Sequence, residues 1–211
     1  KNDTDFADHF FSDSQQIATC QIITDMAMQK NLNVSKEAAT FLFSGLVTDS
    51  GRFLYPQTST LTFRAAAFLA EKGADVQWVY KNLYVEDFNF KRLKGYFINN
   101  FSTTVHNVAY MKNGRALKEA YDVSTFTVSR GMVNQMSNIT GIPIWVNFTE
   151  EDDGTILCEL RSSHEPIVHI AKKYGGGGHA LACGCSVNTW EETDRILSDL
   201  DEIAERIQDN G

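Results

Sequence analysis

The sequence contains no uncharged apolar run of the roughly 18–20 residues that a membrane-spanning helix needs, which excludes such a helix. It has only three prolines among its 211 residues, so a disordered or linker-dominated chain is not expected. Basic residues are also in the minority, since 19 Lys and Arg against 27 Asp and Glu give a formal net charge of −8. Each phosphate contact to a long nucleic acid normally uses a Lys or Arg, so this charge opposes such a partner. A short anionic ligand in one local pocket stays compatible with it.

The chain has few cysteines, and their spacing does not indicate a disulfide framework. Only Cys183 and Cys185 of the four are close together in sequence. No second Cys or His pair stands at a zinc-finger spacing, so we expect buried free thiols rather than a zinc site. The sequence also shows no signal-peptide pattern. We therefore predict a cytoplasmic protein, because thiols stay reduced in that compartment.

Apolar positions recur at spacings of three and four through most of the first half, which predicts amphipathic helices. These helices are expected at 14–30 with Asp13 as N-cap, from the N-cap Ser35 to about residue 48, at 60–72 before Gly73, and at 76–83 after the N-cap Asp75. The second of them is apolar on so many sides that we expect it to be buried all around. Residues 85–100 continue helically with weaker periodicity, and we interpret them as a linker.

The second half mixes strand patterns with helices. Residues 102–111 favour a strand, and 142–161 predict a β-hairpin around the Asp153-Gly154 turn signal. A short helix is expected from Pro166 to Gly175. A final helix opens at Thr189, with Glu192 at the capping-box distance. The whole pattern predicts an α/β protein of two domains, of which the second is α+β.

Gly175 to His179 form the most informative motif, GGGGH. A helix C-cap needs one glycine, not four, and four glycines are entropically costly to order. Two interpretations stay open. The block can be a flexible turn, or it can direct several backbone N–H groups at one phosphate, with His179 as a further donor. It is not a Walker loop, because no Gly-Lys-Ser/Thr follows.

Arg161-Ser162-Ser163 ends the predicted hairpin, just before the helix that leads into the glycines. Alone, such a triplet is typical of an exposed strand end. Beside the glycine block, a guanidinium fork and two hydroxyls would suit phosphate oxygens.

Asp49 closes the apolar segment 41–47 and precedes Ser50-Gly51, a pattern more typical of a turn than of a ligand. As a ligand, Asp49 would give one oxygen to a divalent metal, and Arg52, Thr58 and Ser59 would line the opening of the same site. Further ligands would have to come from elsewhere, because one carboxylate does not make a catalytic metal site.

Two blocks of the sequence resemble DHH-family phosphoesterases. FLFSGLVTDSGRF at 41–53 resembles the last block of their catalytic domain. RSS at 161–163 and GGGGHA at 175–180 resemble their DHH-associated C-terminal domain. The resemblance points to the bacterial oligoribonuclease and pAp-phosphatase branch, the nanoRNases.

This resemblance implies a truncated DHH-type α/β catalytic domain at 1–84, a helical linker at 85–100 and a smaller α+β substrate-binding domain at 101–211. It also implies a phosphodiesterase in which two Mn²⁺ ions activate a water while the C-terminal domain holds a very short RNA. Asp49 would be a metal ligand. The substrate would be held by Arg161, Ser162, Ser163, Gly176, Gly177, Gly178 and His179.

The Asp-His-His triplet of the family is absent, and Asp8-His9-Phe10 is not that triplet because its second histidine is missing. We therefore expect a chain that starts downstream of the triplet and is inactive alone, from a protein acting on short oligoribonucleotides or pAp. A non-catalytic nucleotide-binding module is the alternative. An RNA-contacting appendage like the related domain of alanyl-tRNA synthetases is disfavoured by the charge of −8 and the missing zinc spacing. Membranes and long nucleic acids are not expected partners, and a homodimer is left open.

Overall fold

The structure, a computed structural model, describes Asp13 and residues 16–209. It is a mixed α/β protein that divides into two compact units, residues 1–85 and residues 86–211. Within the described residues, no helix combines the length and the apolar character that crossing a membrane requires. His9 lies outside the described residues.

The described part of the first unit consists of α1 (Thr19–Gln29), α2 (Lys36–Asp49), α3 (Thr60–Glu71) and α4 (Val76–Leu83). Two predicted caps are confirmed, because Ala38 N donates to Ser35 Oγ at 3.2 Å and Trp78 N donates to Asp75 Oδ1 at 2.9 Å. These caps satisfy N–H groups that a helix start leaves without an intrahelical partner. The helices enclose a core centred on Phe43, Leu46, Val47 and Leu69.

Two expectations for this unit are wrong. The first helix begins at Thr19 after Ala18, because Asp13 makes a separate turn in which it accepts from the Gln16 backbone N–H at 3.3 Å. The second helix is not buried all around, since Phe41 is 66% exposed. Only the face of α2 that carries Phe43 and Leu46 packs into the core of this unit.

The second unit is built on a six-stranded sheet in the order β1-β2-β3-β4-β6-β5. Its strands are β1 (Ser102–Thr103), β2 (Val108–Asn113), β3 (Ile144–Glu150), β4 (Ile156–Ser162), β5 (Gly177–Gly178) and β6 (Ala182–Val187). β2 and β3 run parallel, and the other neighbouring strands run antiparallel. The predicted hairpin is confirmed as β3 and β4, with Gly154 at a φ of 92° in its turn.

Helices cover one face of this sheet completely and the other face in part. On the first face, α7 (Val168–Lys173) and α8 (Trp190–Asp209) pack on β3, β4 and β6. Thr189 and Glu192 form the predicted capping box of α8, with bonds of 3.1 and 3.3 Å. On the second face lie α5 (Phe88–Asn100), α6 (Ala116–Tyr121), a π-helical turn (Thr127–Gly131) and a 3₁₀-helical turn (Val133–Met136).

The helices of the second face pack on β2 and β3 around Trp145 and leave part of β6 open. Ala182 and Ser186, which point to this face of β6, are exposed. Residues 88–100, part of the segment interpreted as a linker, form α5 and bury Leu93 and Phe97 in the core of the second unit. The uncovered part of the sheet is where a ligand has access.

The cysteines of the second unit are free and buried, as predicted. Cys158 on β4 lies directly opposite Cys185 on β6, and Cys183 lies on the same sheet face because residues two apart in a strand share a face. Burial raises the pKa of Cys183 to about 11, so this thiol is protonated and unreactive at neutral pH.

The glycine block turns from α7 into β5, and two of its glycines are required by the fold. A Cβ on Gly176 would lie 2.1 Å from the Gly184 carbonyl oxygen, and a Cβ on Gly178 would lie 2.7 Å from Cys183 Cα. Gly175 adopts a φ of 78° at the end of α7, where a glycine commonly stops a helix. Gly177 differs, since a Cβ there would meet nothing within 4 Å.

We therefore expect opposite results from the same substitution at neighbouring glycines. Gly176→Ala should lower the free energy of unfolding by about 3 kcal/mol or more, because the methyl group overlaps backbone that cannot move aside alone. Gly177→Ala should change it by less than about 1 kcal/mol, since its φ is not in the left-handed region and the space is open. Urea unfolding followed by tryptophan fluorescence measures both. Equal losses would contradict the packing of the glycine block against β6.

The π-helical turn is fixed to the sheet by one buried amide. Asn147 on β3 is fully buried, and its Nδ2 donates to the carbonyl oxygens of Val128 and Ser129, both at 2.7 Å. Its Oδ1 accepts from Asn113 Nδ2 at 2.6 Å. A π-helical turn is uncommon and often functional, and here a side chain of the sheet binds two of its carbonyls.

Asn147→Leu should lower the free energy of unfolding by about 3 kcal/mol, because it leaves two buried carbonyl oxygens without a donor. Asn134→Ala is the matched control, since Asn134 is exposed on the 3₁₀-helical turn and should change stability by less than about 0.5 kcal/mol. The same unfolding assay applies. A neutral Asn147→Leu would show that the π-helical turn does not depend on this amide.

Candidate functional site

The open part of the second sheet face holds a groove of about 560 Å³. Its lining comes from the π-helical turn and the residue before it, from the turn between β3 and β4, from β4 and β6, and from the start of the glycine block. The lining residues are Phe126, Ser129, Arg130, Glu151, Leu157, Cys158, Glu159, Gly175, Gly176, Gly184, Cys185 and Ser186. This volume is in the range of small-molecule sites, and polar groups converge on it.

Arg161 lies on the same face of β4 as the groove residue Glu159, two residues away. Its side chain is mostly buried, and the guanidinium is held in place by neighbouring oxygens. Nη2 donates to Glu159 Oε2 at 2.9 Å, while Nη1 donates to the carbonyl oxygens of Leu160 at 2.9 Å and Cys183 at 3.3 Å. Arg161 is therefore oriented by the fold, and donors that these bonds do not use remain for a ligand.

Glu159 binds a second arginine as well, which the sequence reasoning missed. Arg130 on the π-helical turn donates from Nε to Glu159 Oε1 at 3.1 Å, and its Nη2 lies 3.1 Å from the same oxygen in an ion pair. One carboxylate thus joins two guanidiniums, so the local formal charge is +1. Alternation along β4 could have placed Glu159 beside Arg161, but Arg130 is 29 residues away from Glu159 and no motif marks it.

The two serines of the triplet do not share the position of Arg161. Ser162 points to the opposite sheet face and is buried, and its Oγ accepts from the Glu165 backbone N–H at 3.1 Å. Ser163 is half-buried, and its backbone N–H donates to the Pro143 carbonyl at 2.9 Å. The Ser162 hydroxyl thus orders the turn after β4. Of the three residues, Arg161 is the one whose side chain binds a groove residue, Glu159.

The structure does bring the glycine block beside the triplet. Ala182 pairs with Arg161 in the antiparallel register, and Ser162 N donates to the Leu181 carbonyl at 3.0 Å. His179 is exposed at the start of this connection, and its backbone N–H donates to the Ala182 carbonyl at 2.9 Å. The predicted proximity of the two motifs in the fold is therefore present.

Most N–H groups of the glycine block are used within the fold. Gly175 N donates to Lys172 O at 3.1 Å, Gly176 N to Ala171 O at 2.8 Å and His179 N to Ala182 O. The backbones of His179 and Ala182 form two hydrogen bonds with each other, each N–H donating to the other carbonyl. In an antiparallel pair, hydrogen-bonded and non-hydrogen-bonded residue pairs alternate. Gly177 is therefore hydrogen-bonded to β6, whereas the Gly178 N–H points away from β6. In this conformation the block therefore does not direct several N–H groups at one phosphate; it offers the Gly178 N–H and the open space over Gly177.

Tyr174 fixes the helix that leads into the glycine block. Its hydroxyl donates to Asp199 Oδ2 on α8 at 2.9 Å, and Lys173 Nζ reaches the same carboxylate at 2.8 Å. Burial, together with this hydrogen bond, raises the pKa of Tyr174 to about 12. The tyrosine is thus neutral and donating at physiological pH, which holds the end of α7 against α8.

Asp49 is in the first unit, where it is exposed at the end of α2. It lines a cavity of about 400 Å³ whose other lining residues are Asp13, Gln16, Ile17, Ala18, Thr19, Ile22, Ile23 and Met26. Arg52, Thr58 and Ser59, expected at the same mouth, are not in this lining. Arg52 instead lies over the Tyr84 ring, 5.0 Å from its centroid.

The three residues after Ser50 are in the left-handed region, with φ of 54° at Gly51, 63° at Arg52 and 66° at Phe53. Such strain persists where surrounding contacts impose it. Here Phe53 N donates to Ser50 Oγ at 2.9 Å, and the Phe53 ring stacks on Phe63 with centroids 5.5 Å apart. The turn that follows Asp49 is therefore held by a specific set of contacts.

The described residues do not by themselves fit a metal ion. No group of three or more His, Cys, Asp or Glu side chains with metal-binding geometry occurs among them. Asp13 and Asp49 line one cavity, but two carboxylates fall short of the ligands that a Mn²⁺ pair needs. Asp49 is therefore at most one ligand of a site that other residues would have to complete.

Comparison with known proteins places the groove in a recognised domain. Residues 115–206 match the DHHA1 domain, a range that includes every residue lining the groove. The bifunctional oligoribonuclease and PAP phosphatase NrnA of Bacillus subtilis is 31% identical over 205 residues, which are 96% of this chain and 65% of that protein. The protein of the same name from Mycoplasma genitalium is 33% identical over 189 residues, covering 90% of this chain and 58% of the relative.

A solved structure supports the fold. The crystal structure of an exopolyphosphatase-related protein from Bacteroides fragilis superposes with a TM-score of 0.78 at 24% identity, covering 95% of this chain and 62% of that one. The chain thus spans 58–65% of the length of these relatives. Residues 115–206 thus match the DHHA1 domain, and most of the chain is similar to proteins described as bifunctional oligoribonucleases and PAP phosphatases.

Proposed function

We propose that this chain is the C-terminal part of a phosphoesterase that hydrolyses short oligoribonucleotides and pAp. The second unit would hold the substrate, and the first unit would contribute to the catalytic domain. The observation that carries the proposal is the pair of guanidiniums, Arg161 and Arg130, joined by Glu159 beside the glycine block. The relatives are described as bifunctional oligoribonucleases and PAP phosphatases, and these activities suggest the substrate class.

The groove suits a substrate with few phosphates. The cluster of Arg161, Arg130 and Glu159 has a formal charge of +1 and can bind one phosphate group, and Glu151 at the same groove disfavours further phosphates. A long polyanion needs many Lys and Arg contacts instead. The overall charge of −8 favours the same conclusion. In this proposal the free donors of Arg161, the Gly178 N–H and the exposed His179 bind the phosphate, while Ser162 and Gly176 maintain the shape of the site.

Two Mn²⁺ ions are the proposed cofactor of the full-length protein, with Asp49 as one ligand. Because the described residues do not complete such a site, we derive no catalytic step for this chain and expect it to be inactive alone. We further propose that the protein works in the cytoplasm.

A nucleotide-binding module without hydrolysis is the second candidate, because the groove residues are compatible with binding alone. Asp49 and the strained turn after it favour the enzyme, since left-handed backbone held by specific contacts is typical of functional sites. Activity measurements on the full-length protein discriminate between the two.

We expect the full-length protein to hydrolyse an adenosine dinucleotide in the presence of Mn²⁺, and Asp49→Asn to reduce kcat by at least about 100-fold through loss of a ligand charge. Glu71→Gln, at the exposed end of α3, is the matched control and should not change kcat. Dinucleotide binding to the 211-residue chain should be the same in Asp49→Asn as in the wild type. Hydrolysis that persists in Asp49→Asn would show that Asp49 is not a metal ligand. A full-length protein that does not hydrolyse the dinucleotide would favour the binding module.

Arg161→Ala should weaken binding of a 5′-phosphorylated adenosine dinucleotide to the chain about tenfold or more, because a charge-assisted contact contributes about 1.5–3 kcal/mol. Arg92→Ala removes an exposed arginine of α5 that lies outside the groove lining and should have no effect. Gly177→Val should also weaken binding, since its side chain would fill space that is open over the loop. Isothermal titration calorimetry measures the affinities of the wild type and the three variants, after circular dichroism has shown that all four proteins are folded. Equal affinities would mean that these residues have only a structural role.

A further inference from the structure

We propose that Phe126 and Arg130, on the π-helical side of the groove, form a binding site for one unpaired nucleobase of the substrate. The inference rests on the proposed function and deepens it, because it assigns the second side of the groove. Neither residue belongs to the two sequence motifs that carry the family resemblance. Phe126 would stack on the base, and Arg130 would hold its guanidinium beside the ring.

The first observation is the exposure of Phe126 in the groove. Its side chain is 64% exposed although it lines a concave site, and it is not a member of either core cluster of the second unit. An exposed aromatic ring costs free energy in water, and the fold obtains no burial in return. A flat apolar ring at the side of a phosphate-sized positive site is the feature by which proteins bind unpaired bases.

The second observation is that the turn carrying this ring is fixed. Asn147 binds the carbonyls of Val128 and Ser129, between Phe126 and Arg130 in sequence. Arg130 donates one hydrogen bond to Glu159 and forms an ion pair with it, and its guanidinium lies 5.8 Å from the Phe126 ring centroid. Aromatic and guanidinium groups held in this way can bind a base with little loss of side-chain entropy.

The third observation is the distribution of charge along the groove. Glu159 is neutralised by two arginines, whereas Glu151, at the same groove, forms no ion pair with a basic side chain of the described residues. A second phosphate near Glu151 would be repelled. A neutral base on the Phe126 side avoids repulsion by the Glu151 carboxylate, and its phosphate on the Arg161 side is attracted by the positive charge there.

The sheet sets the distance between the Phe126 side of the groove and the glycine block. Arg130 is bound over β4, and the glycine block pairs with β6, its neighbour. Strands lie about 4.8 Å apart, so β4 and β5 are separated by about 10 Å. The groove therefore accommodates one or two nucleotides, which matches its volume of about 560 Å³.

The second unit offers a matched control for this pair. Phe88 and Arg92 on α5 have the same sequence spacing and the same 5.8 Å separation, and Phe88 is 72% exposed. They are not part of the groove lining. Any general effect of removing an exposed phenylalanine beside an arginine would appear at both positions.

The test compares two ligands in isothermal titration calorimetry without divalent metal. One is 5′-phosphorylated adenosine dinucleotide, and the other is the 5′-phosphorylated dinucleotide backbone without bases. Phe126→Ala should weaken binding of the first roughly five- to 100-fold, the range measured for base–aromatic stacking, and change binding of the second less than twofold. Phe126→Trp should retain the affinity, and Phe88→Ala should match the wild type for both ligands.

The outcomes separate this inference from the function on which it rests. Wild-type affinity of Phe126→Ala for the adenosine dinucleotide would overturn the base site while leaving the proposed function in place. An equal loss of affinity for both ligands in Phe126→Ala would also overturn the base site, since the residue would then only shape the groove. A wild-type chain that binds neither ligand would overturn the proposed function and the base site together.

Discussion

The alternation of side chains along β4 is the constraint on which the second unit depends. Every second residue from Ile156 faces α7 and α8, and the residues between them face the groove. A slip of one residue would bury Glu159 and Arg161 in an apolar core, at a cost that ion pairing would not offset. The buried face thereby fixes the register, and the register in turn fixes the charged side chains.

Glu159 then determines the chemistry of the groove. A carboxylate placed between two arginines stabilises both guanidiniums in defined positions while keeping the net charge small. Such a site can exchange a protein carboxylate contact for a phosphate contact without large movements. Two glycines also shape the groove. Gly176 and Gly178 pack against β6 and let the loop approach this strand closely enough to border the groove.

Local signals predicted much of the fold. Ser35, Asp75 and Thr189 with Glu192 cap their helices as expected, because a cap is formed by residues three positions apart. The hairpin followed from alternation and an Asp-Gly turn. The exposure of Phe41 could not be read in this way, because burial of a helix face depends on which other elements pack against it. The position of Ser162 on the sheet face opposite Arg161, by contrast, follows from alternation alone, since neighbouring strand residues point to opposite faces.

The sequence by itself determined the elements, the glycine block and the family resemblance, since these depend on neighbouring residues and motifs. Only the tertiary structure decided which groups meet. It joined Arg130 to Glu159 across 29 positions, assigned Gly176 and Gly178 to close packing, and left Gly177 and Phe126 open to a ligand. The physical reason is that side-chain ion pairs and backbone close contacts between distant segments leave no periodic or local pattern in a single sequence.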